Sequence, residues 1–200
     1  MSDATNTQPT PPNAGGLSPR CVLLERDGVI NVDSASYVKT PDEWQPLPGS
    51  IEAIADLQVA GFTVAVCTNQ SGIARGYFSM DTLHQIHAKL NKALSDIGGT
   101  PLPVYFCPHG PDAQCDCRKP KPGLLETAMA DHDVAPHQTV YIGDSAKDVI
   151  AAAAAGCTAI LVLTGNGHTA QDELSGQVAT PPATHEDLAA AARSLTSRRG

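Results

Sequence analysis

The chain has 200 residues, enough for one domain with a substantial core, and a formal net charge of −8. That charge argues against nucleic acid as the main partner but leaves room for a small anionic ligand, which needs only a local cluster of donors. No apolar run approaches the roughly 20 residues of a membrane span, and the N-terminus lacks the basic and apolar regions of a secretory signal. The expectation is a cytoplasmic protein whose six Cys stay reduced as core, ligand or catalytic residues.

Residues 1–18 are rich in Pro, Thr, Asn and Gly and read as a disordered tail; residues 19–200 read as a single domain. Within it, strands and helices alternate. "CVLL" (21–24) is a strand, followed by a helix over 50–60 that Gly61 closes, and a second strand over 62–68. The segment 80–98 is a helix, with Leu83, Ile86, Leu90, Leu94 and Ile97 at helical spacing. A strand over 102–107, a helix over 123–133, a strand over 139–144, a helix over 147–156 and a strand over 158–163 follow. Residues 166–183 read as a loose connection, and 185–199 as a short final helix with Thr184 and Asp187 at capping spacing. Five apolar strands separated by helices predict an α/β, Rossmann-like fold: a mostly parallel sheet with helices on both faces. Ligands in such sheets bind beyond the carboxyl ends of the strands.

The polar residues gather at those ends. The first strand runs into Glu25-Arg26-Asp27-Gly28, the second into "TNQSG" (68–72), and the fourth into "GDSAKD" (143–148); "CRKPKPG" (117–123) follows the third. In a parallel sheet these segments converge on one edge, bringing together carboxylates, a hydroxyl, an amide and the cations Arg118, Lys119 and Lys121. Carboxylates alone would repel one another and a phosphate. With Mg²⁺ they become a hard oxygen site that also neutralises phosphate, while hydroxyl, amide and Lys bind the phosphoryl oxygens.

A second metal signal is independent. Cys107-Pro-His109 and Cys115-Asp-Cys117 form C-x-H and C-x-C pairs separated by five residues. Three thiolates and an imidazole suit a closed tetrahedral Zn²⁺ site, structural rather than catalytic, which would pin the loop presenting Arg118 and Lys119. Cys21, Cys67 and Cys157 read as buried thiols, His84 and His87 as surface or packing residues, and Trp44 as a packing residue.

This order of motifs resembles the haloacid dehalogenase (HAD) superfamily, in its capless or minimally capped phosphatase branch, over roughly residues 20 to 165. "RDGVIN", "TNQSGIARGYF", "CPHGPDAQCDCRKPKPG" and "GDS" resemble most the heptose bisphosphate phosphatases within it. The histidinol-phosphate phosphatases share the Cys-rich segment but lack the loop at 71–76. The resemblance implies Mg²⁺ held by Glu25, the Asp27 carbonyl and Asp144, with Asp148 as support, and the same structural Zn²⁺. It implies Asp27 as general acid and base, with Thr68, Asn69, Arg118 and Lys119 around the phosphoryl group. Asp33, Tyr37, Gln70, Ser71, Arg75 and Ser145 fall at substrate-contacting positions. The implied substrate is a small phosphorylated sugar, a precursor of lipopolysaccharide core or nucleotide-heptose, and the implied state is a monomer.

Residue 25 departs from the pattern. The family's nucleophile is Asp, and this chain has Glu25. Glu keeps the charge but moves its oxygens by about 1 Å or more, which can cost on the order of 10²-fold in rate, roughly 2.7 kcal/mol. Three readings follow: a heptose bisphosphate phosphatase impaired by Glu25, a non-catalytic phosphosugar-binding protein, and a histidinol-phosphate phosphatase.

Overall fold

The apolar runs become the strands of one sheet. A computed structural model describes residues 20–176 and 181–197, so the tail expected over 1–18 lies outside the described residues. The elements are β1 (Cys21–Leu24), α1 (Ser50–Val59), β2 (Thr63–Asn69), α2 (Met80–Asp96), β3 (Val104–Cys107), α3 (Gly123–Asp131), β4 (Thr139–Gly143), α4 (Ala146–Ala154), β5 (Thr158–Val162), α5 (Gly167–Leu174), β6 (Ala183–His185) and α6 (Leu188–Thr196). The strands pair in the order β3-β2-β1-β4-β5-β6, all parallel.

Both faces of the sheet are covered, which is why β1 is apolar at every position. Val22 and Leu24 pack with Ile54 and Leu57 of α1, Ile86 and Leu90 of α2, and Leu188 of α6. Cys21 and Leu23 point the other way, onto Leu125 and Ala128 of α3 and Ala151 and Ala152 of α4. Trp44 is buried in the first of these layers, as expected of a packing residue. The chain leaves β1 for β2 and β3 on one side, then crosses back to β4 on the other. That reversal opens a crevice at the carboxyl ends of β1 and β4, the place where such sheets bind ligands. The connection between β1 and α1 carries only isolated bridges at Asn31, and that between β2 and α2 carries no named helix or strand. The cap is therefore minimal, as expected.

The C-terminal third departs from expectation. Residues 166–183 are not only a connection: α5 begins at Gly167 and buries Ala170 and Leu174 against Val149 and Leu161. Two apolar contacts in eight residues make too weak a periodicity to read from sequence. The short strand β6 then adds a sixth, edge position beside β5. Thr184 belongs to that strand, and Asp187 alone caps α6, accepting from the Ala190 N–H at 2.7 Å.

Candidate active site

The first carboxylate site is built at the β1–β4 junction. The Glu25 N–H donates to the Ile142 carbonyl at 2.9 Å, which locks the backbone at residue 25 to β4. Three residues on, Gly28 sits at φ +81, and a Cβ there would lie 2.2 Å from Asp144 Oδ2. Gly165, at φ +56, approaches the same oxygen, its hypothetical Cβ also at 2.2 Å. Only glycine permits both approaches. Asp144 Oδ2 accepts from the Asn166 backbone N–H at 2.8 Å and from Asn166 Nδ2 at 3.1 Å, while among the described residues Oδ1 has no such bond. Burial and the neighbouring Asp148 charge push the Asp144 pKa up to about 6. A buried carboxylate with one open oxygen, beside Glu25 and Asp27, fits a hard divalent cation.

Asp27 is held from three sides. Arg26, fully buried, donates from Nη2 to both Asp27 oxygens, at 2.9 and 2.8 Å. Asn31 Nδ2 gives Oδ1 a bond of 2.9 Å, and Gln70 Nε2 gives Oδ2 another of 2.9 Å. Burial would raise this pKa, but the guanidinium and these donors reverse it and hold the carboxyl below its ordinary value. Arg26 Nη1 also meets His87 Nε2 at 3.3 Å. Burial and that guanidinium push the His87 pKa down to about 3, so the ring is neutral and accepts. His87 is thus a packing residue, as expected, but one that also orients Arg26.

Glu25 points inward. Its Oε1 accepts from Thr68 Oγ1 at 2.8 Å, and its Oε2 pairs with Lys119 Nζ and accepts from the Tyr141 hydroxyl at 3.1 Å. Lys119 also reaches Tyr141, the Cys67 carbonyl at 3.1 Å and Asp148 Oδ1 at 2.8 Å. Burial would raise the Asp148 pKa; the Lys119 charge and the Ser145 hydroxyl hold it down.

A cleft of about 210 Å³ opens above these groups, lined by Glu25, Asp27, Asp33, Tyr37, Asn69, Gln70, Ser71, Arg118, Asp144, Lys147 and Asn166 among others. Nine of the sequence-derived site residues therefore share its wall. Asn69 and Lys119 exchange bonds, side-chain amide to backbone, at 3.1 and 3.2 Å, joining the second and third strand ends. Tyr37, at φ +66, sets its ring against Tyr77 with centroids 5.1 Å apart, linking the 31–46 loop to the 70–79 loop. Thr68 and Lys119 lie buried beneath the cleft rather than in its wall. Arg75 is exposed on the 70–79 loop, outside the wall. Ser145 is turned to Asp148 and completes a capping box on α4. Arg26 and Lys147 lay inside the quoted motifs but were given no role there, while Asn166, Tyr141 and the buried role of His87 carried no motif that sequence reasoning could find.

The second metal group assembles as its spacing predicts. The donor atoms of Cys107, His109, Cys115 and Cys117 all lie within 4.8 Å of one another. Cys107 Sγ is 3.7 Å from Cys115 Sγ, and His109 Nδ1 is 3.6 and 3.3 Å from Cys107 and Cys117 Sγ. A tetrahedral ion with bonds of about 2.3 Å separates its sulfurs by about 3.8 Å, so the group can hold Zn²⁺. Arg118 Nη1 donates to the His109 carbonyl at 3.3 Å, tying the cluster to the basic segment.

A parallel sheet with carboxylates at its switch point, a Lys beneath them and a thiolate–imidazole cluster beside them defines a hydrolase of the HAD class. The HAD-hydrolase-like family model matches residues 116–191. D-glycero-β-D-manno-heptose-1,7-bisphosphate 7-phosphatase of Pseudomonas putida is 47% identical over 176 residues, covering 88% of this chain and 99% of that one. The enzyme of the same name from Pseudomonas aeruginosa is 51% identical over 151 residues, 76% and 85% of the two chains. A crystal structure of D,D-heptose 1,7-bisphosphate phosphatase from Bordetella bronchiseptica, complexed with magnesium and phosphate, superposes with a TM-score of 0.84 at 46% identity, covering 90% of this chain and 99% of that one. The chain belongs to the heptose-1,7-bisphosphate 7-phosphatase family. The histidinol-phosphate and non-catalytic readings are not favoured.

Proposed function

We propose that this chain is a Mg²⁺-dependent phosphomonoester hydrolase. In this reading it removes the 7-phosphate of D-glycero-D-manno-heptose 1,7-bisphosphate and leaves the 1-phosphate. The observation that carries it is the convergence of Glu25, Asp27 and Asp144 on one cleft, with Asn69 and Arg118 in its wall and Lys119 below. Glu25, Asp144 and the Asp27 carbonyl would hold Mg²⁺, which would lower the repulsion between the carboxylates and the phosphoryl group. A Glu25 oxygen bonds to phosphorus while the phosphorus–O7 bond breaks; Asp27, ionised in the free chain because Arg26 and its other donors hold its pKa down, takes up a proton as the phosphate's charge enters beside it and gives that proton to the departing sugar oxygen. Asp27 then takes a proton from water, whose oxygen displaces phosphate from the Glu25 carboxyl. The bonds from Arg26, Asn31 and Gln70 hold Asp27 in place for both transfers. A shelf of about 420 Å³ shares Asp33 and Tyr37 with the cleft and leaves room for the rest of the sugar.

The minimal cap needs no second chain to complete the cleft, and on that ground we infer a monomer. Thiolate ligands at Cys107, Cys115 and Cys117 support a reducing, cytoplasmic setting. Among the described residues no helix is long and apolar enough to cross a membrane. The test is phosphate release from heptose 1,7-bisphosphate with Mg²⁺, for the chain and for Glu25→Asp. Release of the 7-phosphate by either supports the assignment. Release by neither, or preferential hydrolysis of histidinol phosphate, overturns it.

A further inference from the structure

Thr68 and Lys119 are two of the four donors that the family resemblance places around the phosphoryl group, and in this structure both are turned to Glu25. Thr68 is fully buried; its one hydroxyl proton goes to Glu25 Oε1 at 2.8 Å, and its oxygen accepts from Gln70 Nε2 at 3.0 Å. Lys119 has three protons and four acceptors: Glu25 Oε2, the Tyr141 hydroxyl, the Cys67 carbonyl and Asp148 Oδ1. Neither donor lines the cleft, whereas Glu25 does. The Glu25 carboxylate therefore stands between the cleft and the two groups that would receive an anion from it. Tyr141 fixes this arrangement, its hydroxyl lying 3.1 Å from Glu25 Oε2 and 2.9 Å from the Cys67 carbonyl.

We propose that Glu25 is an internal anion competing with the phosphoryl group for Lys119 and Thr68, and that Tyr141 is the positioning residue that holds it there. The inference rests on reading the cleft as a phosphoryl site. The backbone at residue 25 is bonded to β4 and cannot retreat. A side chain one methylene shorter would draw its oxygens back by about 1 Å or more, stretching the 2.8 Å Thr68 bond beyond hydrogen-bond range and freeing that donor, while the Lys119 pair is loosened rather than broken. The added methylene thus weakens ground-state binding of phosphate as well as misplacing the nucleophile. The competition appears in affinity before any bond is made or broken.

The experiment measures inorganic phosphate binding by calorimetry at saturating Mg²⁺, on the full chain, Glu25→Asp, Tyr141→Phe and the double variant. Glu25→Asp keeps the charge, so general repulsion is unchanged, and it is expected to tighten phosphate by about tenfold or more. Tyr141→Phe is expected to tighten binding about threefold when Glu25 is present and to leave it unchanged beside the shorter side chain, which no longer reaches the Tyr141 hydroxyl. A purely structural role for Tyr141 would shift both backgrounds equally, and that result refutes the positioning role. Glu25→Asp decides the competition even if Tyr141→Phe does not fold. If Glu25→Asp releases phosphate from heptose bisphosphate yet binds inorganic phosphate no more tightly than the parent chain, the competition is wrong and the functional reading stands. If Glu25→Asp neither binds phosphate nor turns over, the reading of the cleft fails and the inference falls with it.

Discussion

Replacing Asn166 by Ala separates Asp144, the proposed metal ligand, from the loop that carries Asp33. Asn166 Nδ2 donates to Asp144 Oδ2 at 3.1 Å and to Asp33 Oδ2 at 2.9 Å, while its backbone N–H keeps a third bond of 2.8 Å to Asp144. The substitution removes the two side-chain bonds and spares the backbone one. Bonds to charged groups contribute about 1.5–3 kcal/mol when buried. Asn166 and Asp33 are exposed, so the Asp33 bond is discounted to well under 1 kcal/mol on the scale of surface pairs. What remains is loosening of Asp144, about 1.4 kcal/mol, or tenfold in divalent-ion affinity, the lower end of the range for partners of metal ligands. Two readouts check this: the Mg²⁺ concentration giving half-maximal phosphate release, and Mn²⁺ binding followed by electron paramagnetic resonance. Asn166→Ala is expected to raise both about tenfold while leaving the thermal midpoint within a few degrees. An unchanged Mn²⁺ affinity would refute the claim that Asn166 orients Asp144.

Gly28→Ala places a Cβ against Asp144 at a left-handed φ, and is expected to cost about 1–3 kcal/mol in urea unfolding and to abolish tight Mn²⁺ binding; parental values for both would sink the cradle argument. Cys115→Ser is expected to lose the equivalent of bound zinc seen by a chromogenic chelator, with a lower thermal midpoint and weaker turnover as the Arg118–Lys119 loop comes free; retention of a full equivalent of zinc would count against the cluster. His87 titrates near 3 when folded against an ordinary 6.5, so the unfolded chain binds the extra proton between those values. Its contribution is complete above about pH 6.5 and is lost as pH falls, by up to about 1.4 kcal/mol per unit. Asp144, raised to about 6, works the other way between its ordinary 3.8 and that value. His87→Gln, which keeps an acceptor for Arg26, is therefore expected to lose less stability than the parent between pH 7 and 5 without added Mg²⁺. Superimposable pH–stability curves would show that His87 does not control that slope.

Features encoded over short stretches were legible in the sequence alone. Apolar runs marked the five longer strands, because burial on both faces demands them, and the residue types after each strand marked the cleft. The Cys107–Cys117 cluster was legible because all four ligands come from eleven consecutive residues, within the reach of one loop. Elements with little apolar signal were not: α5 buries only Ala170 and Leu174 among its non-glycine residues, and β6 is three residues long. Departure from the family at Glu25 was also visible, but not its consequence. Which way that carboxylate turns depends on Thr68, Lys119 and Tyr141, which lie 43, 94 and 116 residues away. Those partners meet only because β1 lies between β2 and β4, an order that hydrophobic periodicity does not encode. The same holds for Asn166 against Asp144 and Asp33, and for His87 behind Arg26. The sequence by itself determined which chemical groups this edge of the sheet carries; only the tertiary structure decided which of them face the cleft and which are consumed by one another, because hydrogen-bond partners are chosen by proximity in the folded chain.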